Sequence, residues 1–246
     1  MLILAIDSSG MTASAALVTG EKVMAEMSVN NKKTHSQTLL PMIRDVFEAA
    51  GVQPEEIDAV AVAEGPGSFT GLRIGAALAK GLGLSLDKPL IGIPTMDAMA
   101  YGTGIYDGLI CPMIDARHET VYTGLYRWEG GRFETVISTE AVNVREIAGQ
   151  IREAAGDSND CRVLICGDGA AAYGSLFKEC LEEPGIEAVT VPVHQMSQRA
   201  AAVGALALLY AAEGKEISAD DFKPRYYRLT QAERERMKKL RTEGRA

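Results

Sequence analysis

Histidine is scarce in this chain of 246 residues: His35, His118 and His194 are the only three, and they lie far apart. A metal centre built on paired imidazoles therefore has no cluster to draw on. The four cysteines, Cys111, Cys161, Cys166 and Cys180, lack CxxC spacing, which argues against a zinc ribbon or a thioredoxin-like redox pair. Cys111 and Cys166 fall in apolar stretches that read as strands, where cysteine behaves as a small buried hydrophobe, so a reduced, cytoplasmic compartment is expected. No apolar run reaches the roughly 20 residues needed to span a bilayer. The opening Met1-Leu2-Ile3-Leu4-Ala5-Ile6-Asp7 has no basic n-region and meets an acid too early for a signal peptide. A surplus of positive charge is missing too. The 25 basic and 33 acidic residues give −8, which disfavours a broad direct nucleic-acid surface.

The charge is uneven. Phe222 to Ala246 holds nine basic and three acidic residues, a net +6, which leaves −14 on residues 1–221. This basic tail could meet RNA, but a solvated terminal helix of mixed charge is the plainer reading. Hydrophobic residues make up 47% and charged residues 24%, ordinary for a globular protein. The length suits one large domain or two lobes.

The most informative stretch is Glu64-Gly65-Pro66-Gly67-Ser68-Phe69-Thr70-Gly71-Leu72-Arg73-Ile74-Gly75. It joins the apolar run Ala59 to Ala63, read as a buried strand, to an alanine-rich segment read as a helix through Leu86. Ser68 or Thr70 can cap that helix. The turn resembles a phosphate loop, yet Thr70 stands where GxGxxG needs its third glycine, and no Lys-Ser or Lys-Thr follows Gly71 for a Walker loop. Gly71, Gly75, Ala79 and Gly83 recur every four residues, leaving one helix face almost bare. Either it packs on the chain's own sheet or it admits a second subunit.

The order of elements repeats. Leu2 to Asp7 reads as a strand ending in an acid, followed by a turn, strands over Thr12–Val18 and Val23–Val29, a helix over His35–Ala50 with Leu39, Leu40, Ile43, Val46 and Phe47 at helical spacing, then a strand and a helix. About 107 residues later the same order starts again: Leu109 to Asp115, a turn, strands over Thr120–Tyr126 and Phe133–Ser138, a helix over Val144–Ala155, a strand into Gly167-Asp168-Gly169-Ala170 and a helix to Leu181. A long apolar helix is predicted over Gln195–Ala212. This duplication divides the chain into an N-terminal lobe over 1–106, a C-terminal lobe over 107–221, whose last helix can return to the first lobe, and the tail 222–246.

Two α/β lobes that each open strand-Asp-turn-strand resemble the actin, hexokinase and Hsp70 ATPase superfamily, with its ribonuclease H-like mixed sheets. Within it, Ile6-Asp7-Ser8-Ser9, His35 to Ile43, the GPGSFTGLRIG segment, Pro94 to Ala100, Ile114-Asp115-Ala116-Arg117 with Glu119, Val121 and Tyr122, and Pro224 to Leu229 resemble the bacterial TsaB family over essentially the whole chain. The resemblance implies a non-catalytic dimerisation subunit. Its partners would be a TsaD-like catalytic subunit and a TsaE-like ATPase, which together transfer threonylcarbamoyl to the adenosine beside the anticodon of transfer RNAs reading codons that start with A. It implies no cofactor of the chain's own, ATP and metal in the partner subunits, transfer RNA met through the complex, and a homodimer as a further state. The expected interface is Leu40, Ile43, Phe47, Gly71, Ile74, Gly75, Leu78, Ala79 and Leu82.

The resemblance also implies a degenerate nucleotide site at Asp7, Ser8, Ser9, Asp115, Gly167 and Gly169. The first turn keeps one glycine, Gly10, and the second, Ala116-Arg117-His118-Glu119, keeps none. Thr95 and Met99 stand where TsaD has two histidines four apart, and a hydroxyl with a thioether is a poor cation site. Two alternatives stay open: a weak ATPase or sugar-kinase-like enzyme of the same fold, and a glycoprotease-like peptidase. Ser8, Ser9 and Ser68 lie near turns, but no histidine and acid are placed beside them by the sequence.

Overall fold

A computed structural model describes residues 1–31, 33–156, 161–182 and 185–227. The greater part of the basic tail, including the Arg228-Leu229 end of the family motif, lies outside the described residues. The first sheet contains β1 (Leu2–Asp7), β2 (Ala13–Thr19), β3 (Val23–Val29), β4 (Ala59–Gly65) and β5 (Leu90–Pro94) in the order β3-β2-β1-β4-β5. The second contains β6 (Leu109–Asp115), β7 (Thr120–Glu129), β8 (Arg132–Asn143), β9 (Arg162–Cys166) and β10 (Glu187–Thr190) in the order β8-β7-β6-β9-β10. In each sheet the first three strands are antiparallel neighbours and the last two add in parallel. The two sheets therefore share one topology, the duplicated architecture of the actin-like ATPases.

The helices are α1 (His35–Ala50), α2 (Phe69–Leu86), α3 (Thr95–Gly102), α4 (Val144–Ala155), α5 (Asp168–Glu182) and α6 (Ala200–Ala212). In α1, Leu39, Met42, Ile43, Val46 and Phe47 form one buried face, and Gly51 ends the helix in the left-handed conformation, its N–H returning to Glu48 and Phe47. Ser68 caps α2, its hydroxyl accepting from the Gly71 N–H. Both helices join the core between Leu4, Ile6, Val60 and Val62 and one face of the first sheet.

The other face of that sheet is covered by α6 through Val203, Leu206 and Ala207 against Ile3, Ala5, Ala16 and Val18. The predicted helix Gln195–Ala212 thus begins five residues late. Val193–Gln195 is a 3-10 turn, and Gln198 turns inward to lie against Gly10. The helix start is fixed instead by tertiary contacts: the Ala200 N–H donates to Ser14 Oγ and the Ala201 N–H to Glu26.

The sheets separate between α3 and β6, but the cores do not respect a boundary at 106. Met96, Met99 and Ala100 of α3 pack with Ile110, Tyr126 and Leu164 of the second sheet, while α6 and the segment after it serve the first. A boundary at 221 does not hold either, because Ala219 and Phe222 are buried in the first core. Each lobe lends one helix to the other, so neither can bury its apolar faces alone.

Candidate functional site

The ends of β1 and β6 face each other across an interlobe cleft of about 500 Å³, bordered by Ser9, Gly10, His35, Ser68, Asp115 and Arg117. The first lobe's side of the cleft is folded shut. Asp7 is buried, and its Oδ1 accepts from the Ser9 N–H at 2.8 Å and from Ser9 Oγ at 2.6 Å. Its Oδ2 is buried with no partner. Burial, partly countered by the Ser9 hydrogen bonds and the charge of His35, raises its pKa from 3.8 to about 6. Ser8 Oγ donates to the Gly71 carbonyl at 2.8 Å, and the Ser68 N–H donates to the Ser9 carbonyl at 2.7 Å. The GPGSFTG turn therefore clasps the chain's own first turn.

The second lobe supplies an occupied carboxylate. Asp115 Oδ1 accepts from the Arg117 N–H at 2.7 Å and from the Tyr173 hydroxyl at 2.9 Å, and Oδ2 is paired with the Arg117 guanidinium at 3.2 Å. Arg117, His118 and Glu119 all have positive φ, between 54° and 70°, at a cost of about 1–2 kcal/mol per residue for L-residues. Glycine would adopt this turn freely and leave backbone open to phosphate oxygens; here bulky and charged side chains border the space. Gly167 and Gly169 serve packing. A Cβ on either would strike the backbone of Met113 in β6, and Gly167 also has φ +94°. Both glycines therefore permit close strand–helix contact.

Thr95 is fully buried with its hydroxyl unpartnered, and Met99 is buried in the second core. Between them Asp97 accepts from the hydroxyls of Tyr126 at 2.8 Å and Tyr210 at 3.2 Å. Burial raises the pKa of Asp97 against these hydrogen bonds. Among the described residues no group of three His, Cys, Asp or Glu side chains could hold a metal ion. A hydroxyl, a thioether and a carboxylate already bonded to two phenols do not fit one. The purified, untagged chain is expected to carry less than stoichiometric zinc or iron by elemental analysis; a stoichiometric content lost on Met99→Ala would refute this. Ser8, Ser9 and Ser68 are bonded to Gly71, Asp7 and the α2 N-terminus, and His35 Nε2 lies 2.8 Å from the Gly10 carbonyl.

The expected interface residues part company. Gly71, Gly75, Ala79 and Gly83 are buried. A Cβ at Gly71 would overlap the Ser8 carbonyl, one at Gly75 the Ser8 hydroxyl, and one at Gly83 the Leu90 side chain. Ala79 lies in the first core with Ile43 and Phe47. The small face is thus consumed inside the chain, and its assignment to a subunit contact is corrected. Ile74, Leu78 and Leu82 are partly buried. Leu40 of α1 at 54% and Leu84 of α2 at 58% are exposed. Sequence reasoning missed a second small stripe on α2: Ala77 and Gly81, both exposed, with open space around Gly81. Its signal was present as the other four-residue spacing in α2, but only burial tells one stripe from the other.

Comparison with known proteins places this geometry. The family model of TsaD, tRNA N6-adenosine threonylcarbamoyltransferase, matches residues 22–236. The tRNA threonylcarbamoyladenosine biosynthesis protein TsaB of Bacillus subtilis is 34% identical over 95% of this chain and 96% of its own length. TsaB of Escherichia coli is 37% identical over 59% of this chain and 66% of its own length. A solved Pseudomonas aeruginosa structure, described as similar to the peptidase YeaZ, superposes with a TM-score of 0.75 at 26% identity, covering 92% of this chain and 99% of that one. A match of this extent to TsaB, with the duplicated fold and the occupied turns, shows that the chain belongs to the TsaB family of tRNA threonylcarbamoyladenosine biosynthesis proteins, within the wider family that the TsaD model describes.

Proposed function

We propose that this chain is the non-catalytic companion of a TsaD-like subunit in threonylcarbamoyl transfer to the adenosine beside the anticodon of transfer RNA. The observation that carries the reading is the Asp115 carboxylate, bonded to Arg117 and Tyr173 where a working phosphate site needs open backbone. ATP and metal belong to the partner subunits, a TsaE-like ATPase among them, and transfer RNA is met through the assembly. The docking face is the outer side of α1 and α2, where Leu40 of α1 and Ala77, Gly81 and Leu84 of α2 are exposed. Apolar side chains around small residues suit close helix–helix contact, with the catalytic subunit or with a second copy.

The test is reconstitution. The chain should co-purify with the TsaD-like subunit, and modification of transfer RNA should fall to background when it is omitted. Alone it should neither modify transfer RNA nor turn over ATP. Turnover by the isolated chain at about 1 per second, within the usual enzyme range, and abolished by Asp7→Asn, would favour the kinase-like alternative, for which the retained Asp7 speaks.

A further inference from the structure

The segment after α6 does more than end the chain. Ile217 pairs with Leu90 through two backbone hydrogen bonds of 2.9 Å, and Phe222 is buried in the first core. Lys80 of α2 donates to the carbonyls of Asp220 and Phe222. The Arg225 N–H donates to the Glu64 carbonyl at 2.7 Å, and its guanidinium lies 2.9 Å from Glu64 Oε1, a carboxylate only 8% exposed at the end of β4. Tyr226 then packs against Phe69, ring centroids 5.0 Å apart and the planes tilted by 40°, with the Arg73 guanidinium over the Phe69 ring. To this point every contact is to the first lobe. Tyr227 crosses over: its ring meets Tyr122 of β7 edge-on at 6.5 Å, and Tyr122 borders the cleft. Beside the crossing, Asp97 of α3 joins Tyr126 of the second sheet to Tyr210 of α6. Burial raises the carboxyls of Glu64 and Asp97, and the charge of Arg225 opposes that rise at both.

We infer that residues 217–227 are a clamp that holds the two lobes at one cleft opening, with the Arg225–Glu64 pair anchoring it on the first lobe and Tyr227 on Tyr122 engaging the second. Two lobes joined by short connections and two exchanged helices retain hinge freedom about those connections. A third tie at the cleft wall, away from the connections, removes it. The anchor is firm because Glu64 is buried: taking away Arg225 leaves a carboxylate without its counter-ion, beside the charge of Asp97. The inference concerns this chain alone and does not depend on the partner reading.

Distances across the cleft test it. Spin labels on Gln37→Cys in α1 and Ala171→Cys in α5, both exposed positions, in a Cys161→Ser, Cys180→Ser background, report the opening by pulsed electron resonance on the full chain. A single narrow distribution is expected with the clamp intact. Tyr227→Ala should broaden it and add a longer component, and so should the charge-neutral double variant Glu64→Gln, Arg225→Gln, which avoids stranding a buried carboxylate. Melting curves identify any variant that fails to fold, and Tyr227→Ala, which removes neither member of the Arg225–Glu64 pair, keeps the question decidable. An unchanged distribution in folded Tyr227→Ala, or an intact chain already as broad as the variants, would overturn the clamp.

Discussion

Gly75→Leu is expected to destabilise this chain severely, whereas Gly81→Leu is expected to fold as well as the native protein and lose its partner. The two positions lie on one helix. At Gly75 a Cβ would overlap the Ser8 hydroxyl and approach Val62, both in the fully buried wall of the first lobe. A leucine there must push β1 away from α2. Overpacking costs about 1–3 kcal/mol and occasionally more; contact with a rigid turn places this case at about 3 kcal/mol or above. Against a total stability of about 5–15 kcal/mol, that removes a large share of the folding free energy, visible as a large fall in melting temperature. At Gly81 nothing lies within 4 Å of the added Cβ, and leaving glycine in a helix interior gains about 0.8–1 kcal/mol. The same side chain would hold an incoming helix away and weaken binding to the TsaD-like subunit by at least about tenfold, or 1.4 kcal/mol. Titration calorimetry beside a melting curve separates the two effects. Native affinity in a folded Gly81→Leu protein would remove α2 from the proposed interface. A folded, stable Gly75→Leu protein would show that the inner stripe is not packed as described.

Asp7→Asn should raise stability at neutral pH, the reverse of what deleting a structural carboxylate usually does. The carboxyl of Asp7 is buried, and its pKa is raised from 3.8 to about 6 chiefly by loss of hydration. A folded-state pKa above the unfolded one favours the protonated acid in the native state. Its contribution is fully present below about pH 4, is lost as pH climbs toward 6, and at pH 7 the ionised group costs about 3 kcal/mol. Asparagine keeps an acceptor for the Ser9 N–H and hydroxyl, but leaves its amide where Oδ2 now has no partner, at a cost of about 1 kcal/mol. The net gain at pH 7 is about 1–2 kcal/mol, a few degrees in a chain of this size. It should shrink and change sign as the solution is acidified through pH 6 toward 4. Denaturation across that range checks it, and a variant less stable than the native chain at pH 7, or an advantage independent of pH, would contradict the account.

Much of the fold was legible because it is written in local pattern. Strands ending in Asp7 and Asp115, the helical spacing from Leu39 to Phe47, the Gly51 stop and the repeat at about 107 residues each need only neighbours in sequence to be read, and the structure contains those elements. The start of α6 was not legible, because Gln195 to Arg199 is kept out of the helix by Ser14 and Glu26, which cap it from distant strands, and by Gln198 lying on Gly10. The division between lobes is blurred for a similar reason. The return of the last helix to the first lobe was anticipated, but α3 is apolar enough to be buried anywhere, and its packing on the second sheet depends on how the two halves meet.

The site divides along the same line. The sequence by itself determined that the second turn lacks glycine, that Thr95 and Met99 offer a hydroxyl and a thioether rather than two imidazoles, and that the chain resembles TsaB. These are matters of residue identity, which no packing can change. Only the tertiary structure decided that Asp115 is taken by Arg117 and Tyr173, that Asp7 is buried with one bare oxygen, and that Glu64 meets Arg225 across 161 positions of sequence. It also decided which of two small stripes on α2 is free. Gly71, Gly75, Ala79 and Gly83 look like an interface because small residues allow close approach. What approaches them is the chain's own β1 turn and β5, and a helix turned by about 100° per residue leaves Ala77 and Gly81 on the side that water, or a partner, can reach.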